Sequence, residues 1–115
     1  MWVFTETGFV SAVRHREHDD ILIVRSRDRD SIDAVALRTG TEVVAGAGSD
    51  YPYRVSVERA KFAEWVAEQV SNLKYTNYKN HMHDLRDETF CRALSTVWFA
   101  MTDIEDYDFA SGARI

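Results

Sequence analysis

The sequence contains a single cysteine, a single proline and five glycines among its 115 residues. Because Cys91 is alone, no intrachain disulfide can form, which excludes small disulfide-stabilised secreted proteins and favours a reducing compartment. No apolar run approaches the ~20 residues that a membrane-spanning helix requires. Residues 1–8 lack the basic start and the long apolar segment of a signal peptide. We therefore expect a cytoplasmic protein that does not associate with a membrane.

The sequence also lacks an excess of basic residues. Lysine and arginine number 14 against 19 aspartate and glutamate residues, which gives a net charge of −5 at pH 7. Binding to the nucleic-acid backbone requires a basic surface, so we do not expect a nucleic-acid partner. An acidic balance is instead suited to docking on a basic surface of another protein.

The overall composition is that of a folded protein. Hydrophobic residues make up 45% of the chain and charged residues 29%, unlike the apolar-poor composition of disordered chains. No repeat, low-complexity tract or linker divides the sequence. We predict one domain over residues 1–105, which at this length buries about two-thirds of its unfolded surface. Residues 106–115 are predicted to be a frayed tail.

Short β-branched and aromatic segments in the first half predict strands. The five predicted strands are Trp2–Thr5, Phe9–Arg14, Ile21–Arg25, Glu42–Gly46 and Tyr53–Val57. Between the third and fourth strands, Asp28 or Asp30 can cap a helix that ends at Gly40. Residues 46–52 are rich in turn formers and predict a hairpin between the last two strands.

Two amphipathic stripes in the second half predict helices. The first helix extends from Glu58 to about Leu73, and its stripe consists of Phe62, Val66, Val70 and Leu73. The stripe of the second helix consists of Phe90, Leu94, Val97, Trp98, Met101 and Ile104. Residues 81–85 either belong to this helix or form a separate turn. The three tryptophans, candidates for the core or for a subunit interface, are Trp2, Trp65 and Trp98.

The element order β-β-β-α-β-β-α-α predicts an α+β fold with a mainly antiparallel sheet of about five strands. The unit from Ile21 to Leu73 is related to split β-α-β, or ferredoxin-like, folds, and the N-terminal strands extend its sheet. We expect the helices to cover one face of the sheet. The other face is then available to a partner or to a second copy of the chain.

Several short strings occur together in this sequence. They are Met1-Trp2-Val3-Phe4-Thr5-x-x-Gly8-Phe9-x-Ser11, Val24-Arg25-x-Arg27, Gly48-x-Asp50-Tyr51-x-Tyr53-Arg54, Asn77-Tyr78-Lys79 and Val97-Trp98. In this order, and over most of the chain, they resemble a family of small uncharacterised proteins from bacteria and their phages. The resemblance implies a single-domain cytosolic protein, and it implies no activity and no catalytic or binding residues.

The sequence carries no complete catalytic or metal-binding motif. Its histidines, near several acidic residues, are His15, His18, His81 and His83. They do not form HExxH, no paired CxxC is present, and Cys91 has no histidine at a supporting spacing. Gly46-Ala47-Gly48 leads into a strand, whereas a phosphate loop leads into a helix N-terminus. We predict no catalytic residue, no metal ligand and no cofactor, and we favour a non-enzymatic role while leaving activity open.

Arginines on or just beyond the predicted strands form the main candidate site. Its residues are Arg25, Arg27, Tyr51, Tyr53 and Arg54. If the sheet brings the guanidinium groups together, they would clamp a carboxylate or phosphate group bidentately. Neighbours that we expect to approach this site are Arg14, Tyr75, Asn77 and Lys79. The interpretation that we favour over such a clamp is that the arginines pair with the numerous aspartate and glutamate residues on a solvated face.

Three functions follow from these features. The favoured one is a non-enzymatic protein-interaction or regulatory module with a protein partner or a second copy of itself, because the chain is acidic and supplies aromatic residues suited to interfaces. The alternative is a small-molecule or anion-binding module built on the arginines and tyrosines. The second alternative is a small metal-dependent hydrolase that uses the histidines.

Overall fold

The chain divides into two units, Met1–Lys74 and Tyr75–Ile115. The structure is a computed structural model that describes residues 1–46 and 50–111, with side chains described for 1–46 and 50–105. A single domain over residues 1–105 stays a prediction. No helix within the described ranges combines the length and the apolar character that crossing a membrane requires.

The first unit is built around a five-stranded sheet. Its strands are β1 (Trp2–Thr5), β2 (Gly8–Arg14), β3 (Ile21–Ser26), β4 (Val44–Ala45) and β5 (Tyr53–Glu58). They lie in the order β1-β2-β3-β5-β4, and every neighbouring pair is antiparallel. The predicted α+β class with an antiparallel sheet is confirmed. Because β3 and β4 both run antiparallel to β5, they are parallel to each other with β5 between them.

Helix α1 (Arg29–Thr39) follows β3 and begins where the sequence predicted a cap. The Asp28 carboxylate accepts hydrogen bonds from the N–H and the hydroxyl of Ser31, at 3.3 and 2.7 Å. The Ser31 hydroxyl in turn accepts a bond from the N–H of Phe9 at 3.1 Å, which ties the start of the helix to β2. Gly40 ends the helix with a φ of 67°, a left-handed conformation that glycine adopts without strain.

The core of this unit lies between one face of the sheet and two helices, α1 and α2 (Arg59–Ser71). Ala12, Val24 and Val55 are direct neighbours in the strand register and are all buried. Side chains from both helices complete this core, namely Ile32, Val35, Ala36, Phe62 and Trp65. Since α1 and α2 pack against the same buried residues, they cover one face of the sheet, as predicted for the helices of this unit.

The predicted stripe of α2 is only half correct. Phe62 is buried and Val66 packs against the core, but Val70 and Leu73 are exposed and the helix ends at Ser71. The other buried residue of α2 is Trp65, which is only 2% exposed and whose ring stacks on that of Phe62 with the centroids 5.5 Å apart. Periodicity identified the buried side of the helix but could not show that the sheet core ends at its second turn.

The second unit contains two helices, α3 (Tyr78–Leu85) and α4 (Glu88–Ser111). Residues 81–85 therefore belong to a separate helix, capped by Asn77, whose side chain accepts a bond from the N–H of Asn80. The buried side chains of this unit are Met82 on α3 and Cys91 and Leu94 on α4. The α4 backbone stays helical through 106–111 of the predicted tail, and residues 112–115 lie outside the described residues.

Candidate functional site

The sheet face opposite α1 and α2, here called the outer face, carries a polar row across three strands. Ser11 on β2 is the register neighbour of Arg25 on β3, and Arg25 is the register neighbour of Arg54 on β5. Side chains alternate between faces along a strand, so this row lies opposite the buried row of Ala12, Val24 and Val55. The sheet thus brings two of the predicted arginines together.

Tyr51 joins two arginines of the candidate site. The ζ carbon of Arg25 lies 4.6 Å from the centroid of the Tyr51 ring, and that of Arg27 lies 4.1 Å from it. The tyrosine is 6% exposed, so the ring is buried beside the guanidinium groups. Guanidinium groups over an aromatic face are held by cation–π attraction, which is stronger where water is excluded.

The hydrogen bonds of these arginines use few of their donors. Nη2 of Arg25 donates to the hydroxyl of Ser11 at 2.9 Å, and Nη1 of Arg27 donates to the backbone carbonyl of Asp50. The Nε of Arg25 is buried and has no hydrogen-bond partner in the described part of the chain. A guanidinium group carries five N–H donors, so both groups retain donor capacity.

Several other arginines of the first unit form ion pairs with carboxylates, whereas Arg25 and Arg27 do not within the described ranges. Arg14 pairs with Asp19, Arg29 with Asp33 and Arg38 with Glu68, at 2.6–2.8 Å. Within residues 1–46 and 50–105, neither Arg25 nor Arg27 has a carboxylate within 4.0 Å. The interpretation that arginines pair with acidic residues thus holds for Arg14 but not for these two.

Tyr53 does not join the cluster. It is the register neighbour of Ser26, and it packs against the core on the helix-covered face. There its ring lies 5.8 Å from the ζ carbon of Arg29. The alternation of residues along β5 already predicted that Tyr53 and Arg54 lie on opposite faces of the sheet. The approach of Tyr51 to the arginines depends on the path of a loop, so no periodicity in the sequence indicated it.

The other predicted neighbours belong to the second unit and have partners there. Asn77 caps α3, and Nζ of Lys79 lies 4.0 Å from the centroid of the Trp98 ring. The Tyr75 ring lies 4.8 Å from the ring of His81 and 5.6 Å from that of Tyr78. Partial burial raises the pKa of the Tyr78 phenol well above its usual value, so this hydroxyl stays protonated at neutral pH.

Within the described ranges, the histidines of the hydrolase alternative do not belong to a group of three or more possible metal ligands. The rings of His15 and His18 lie 4.9 Å apart and are tilted by 38° relative to each other. No group of three or more histidine, cysteine, aspartate or glutamate residues in the described ranges is placed to hold a metal ion. Cys91 is buried, and its thiol contacts the carbonyl oxygen of Met82 at 3.5 Å. This is the environment of a packing residue rather than of an activated nucleophile.

Residues 47–49, which belong to the turn predicted over residues 46–52, lie outside the described residues. On either side of this turn, β4 and β5 pair as the predicted hairpin, and the N–H of Gly46 donates to the carbonyl of Pro52 at 2.9 Å. Gly46 has a φ of 67°, which places the turn conformation at a residue that tolerates it. β4 covers two residues, Val44 and Ala45, where the sequence predicted five.

A second candidate surface is on α4, where the predicted stripe is only partly buried. Leu94 is buried, and the guanidinium of Arg86 lies over the ring of Phe90 at 4.3 Å. The remaining stripe residues, here called the α4 patch, are all exposed: Val97, Trp98, Met101 and Ile104. Periodicity placed these residues on one side of the helix but could not show what covers them.

Comparison with known proteins finds no matching family, no matching curated protein and no matching solved structure.

Proposed function

We propose that this chain is a non-enzymatic protein-interaction module that associates with a second copy of itself through the α4 patch. The observation that carries the proposal is the exposure of this patch. Trp98 is 58%, Met101 57% and Ile104 53% exposed. Contiguous exposed apolar surface of this kind marks interaction sites, and tryptophan and methionine are enriched in them.

The spacing of the apolar residues suits helix pairing. Val97, Met101 and Ile104 are exposed and follow one another at intervals of four and three residues, the a/d pattern of a two-helix seam, which continues the spacing of the buried Leu94. A second copy offers the same pattern, and a two-fold interface needs such a self-complementary surface. Ala93 and Ala100, both exposed, flank the seam and allow the helices to approach closely.

The area of the patch is compatible with a dimer. A fully exposed large apolar side chain presents about 150–250 Å², the upper part of this range being aromatic, and the four residues of the α4 patch are 38–58% exposed, so together they present roughly 400 Å². A standard interface buries about 800 Å² per partner. The patch therefore supplies about half of the required surface, and its flanking residues would have to supply the rest.

The charges on α4 favour an antiparallel arrangement. Residues 103–108 include four acidic residues and no basic one. A parallel pair would place two such acidic ends side by side. An antiparallel pair would separate the two acidic ends and place each beside the N-terminal half of the other α4, where the charge of Glu88 is balanced by Arg92.

Sedimentation velocity on two charge variants tests the proposal. Met101→Glu places a charge in the seam and should weaken self-association by at least about tenfold, because the carboxylate would be buried without a partner. Leu37→Glu is the matched control, since Leu37 is 88% exposed on α1 and lies outside the patch. Its association should equal that of the unchanged chain.

Two results would contradict this proposal. A chain that stays monomeric over the whole concentration range would exclude self-association. Equal effects of Met101→Glu and Leu37→Glu would show that the chains associate through another surface. A regulatory role, a cytoplasmic location, a ferredoxin-like relationship and membership of the bacterial and phage family are further proposals, supported by the composition and the strings described above.

A further inference from the structure

We propose that Arg25, Arg27 and Arg54 form a binding site for a small oxyanion, a phosphate or carboxylate group, on the outer face of the sheet. The site lies in the first unit and is independent of the α4 patch. Its ligand would be recognised by guanidinium groups, which bind both kinds of oxyanion through paired N–H donors.

The first argument is the juxtaposition of like charges. Arg25 and Arg54 are direct neighbours across β3 and β5, and like charges directly opposite each other repel. The chain holds 19 acidic residues, yet no carboxylate of the described ranges approaches Arg25 or Arg27 within 4.0 Å. A bound anion would supply the charge that is missing for these two groups.

The second argument is that the donors are held in place. Tyr51 lies under both Arg25 and Arg27, and the buried hydroxyl of Ser11 accepts a bond from Arg25. Side chains already fixed in this way lose less conformational entropy when a ligand binds. A cluster of exposed, unrestrained arginines would not have this advantage.

The third argument concerns unused hydrogen-bonding capacity. Arg25 and Arg27 each make one hydrogen bond to described residues, although each guanidinium carries five donors. The Nε of Arg25 is buried, and no described residue accepts a bond from it. A buried donor without an acceptor destabilises the fold, and small shifts that let an oxyanion oxygen reach it would satisfy it.

Isothermal titration calorimetry with inorganic phosphate, pyrophosphate and citrate tests the site, at constant ionic strength with chloride as the reference anion. Saturable binding of at least one of them is expected, and which binds most tightly distinguishes phosphate from carboxylate ligands. The binding anion should also raise the unfolding temperature, and the increase should grow with the logarithm of its concentration above the Kd, by mass action.

Three arginine variants locate the binding. Arg25→Gln and Arg27→Gln should each weaken binding of that anion by about tenfold or more, since each removes charge-assisted bonds. Arg27 is exposed, so its variant should fold even if Arg25→Gln does not. Arg14→Gln is the matched control, because Arg14 pairs with Asp19 outside the cluster, and it should bind like the unchanged chain.

No saturable heat with any of the three anions would overturn the proposal. Equal affinities for the unchanged chain and for Arg27→Gln would also overturn it, because binding would then occur elsewhere. Light scattering on the same samples keeps this result separate from self-association, since a failed anion site leaves the α4 patch unaffected.

Discussion

Arg25 and Arg54 lie directly opposite each other on the antiparallel strands β3 and β5, on the sheet face that α1 and α2 do not cover. The ring of Tyr51, 6% exposed, lies within 4.6 Å of the ζ carbon of Arg25 and also contacts Arg27. This arrangement concentrates positive charge at one place on a chain whose net charge is −5. It is the basis of the anion site proposed above.

The aromatic ring of Tyr51 should matter more for this site than its hydroxyl. Tyr51→Phe keeps the ring under the arginines, whereas Tyr51→Leu removes the cation–π contact, worth about 0.5–2 kcal/mol. We expect Tyr51→Leu to bind the preferred anion several-fold more weakly than Tyr51→Phe, measured by calorimetry. Equal affinities of the two variants would show that the ring does not position the arginines.

The cap of α1 should contribute measurably to stability. Asp28→Ala removes the acceptor for the N–H and the hydroxyl of Ser31, so the free energy of unfolding should fall by about 1 kcal/mol in a urea titration. Asp30→Ala is the control, since Asp30 lies in the first turn but is not the cap. A loss for Asp30→Ala as large as that for Asp28→Ala would contradict the assignment of the cap.

The three tryptophans should differ sharply in their contribution to folding. Trp65→Ala removes a side chain that is 2% exposed and stacked on Phe62, and should cost about 3–5 kcal/mol of unfolding free energy. Trp98→Ala, at a site 58% exposed, should cost less than about 1 kcal/mol under monomeric conditions. Comparable losses in urea titrations would contradict the placement of these two residues.

The ion pair between α1 and α2 should make stability depend on pH in the acidic range. The hydrogen bond from Arg38 lowers the pKa of Glu68 from its ordinary value of 4.5. Because the folded-state pKa is the lower one, this contribution is present above pH 4.5 and is lost as the pH falls through the folded-state pKa. Both side chains are substantially exposed, so the contribution is small.

Glu68→Gln tests this dependence. The unchanged chain should be slightly more stable than the variant near neutral pH, and the difference should shrink towards zero below pH 4.5. The measurement is the difference in unfolding free energy across a pH series at low salt. A difference that stays constant, or that grows as the pH falls, would contradict the role of the pair.

Local features of the sequence predicted much of the first unit. Alternation identified the strands, and a short carboxylate followed by a glycine marked the start and end of α1, because both signals depend on neighbouring residues alone. The same alternation placed Arg54 and Tyr53 on opposite faces. The contact of Tyr51 with Arg25 and Arg27 was not predictable in detail, since it depends on the path of a loop.

Periodicity was less informative about what covers each helix. It grouped Val70 with Phe62 on α2 and Met101 with Leu94 on α4, but the structure buries only Phe62 and Leu94. A hydrophobic stripe shows which side chains share a face, whereas burial depends on the length and position of the packing partner. The exposed part of the α4 stripe is therefore visible only in the structure.

The molar mass of the unchanged chain in solution tests the proposed function most directly. Multi-angle light scattering should be recorded after size-exclusion chromatography at loading concentrations of about 1 and 100 μM. Association through the α4 patch predicts a mass that approaches twice 13.3 kDa at the higher concentration and decreases on dilution. A mass of 13.3 kDa at both concentrations would contradict it.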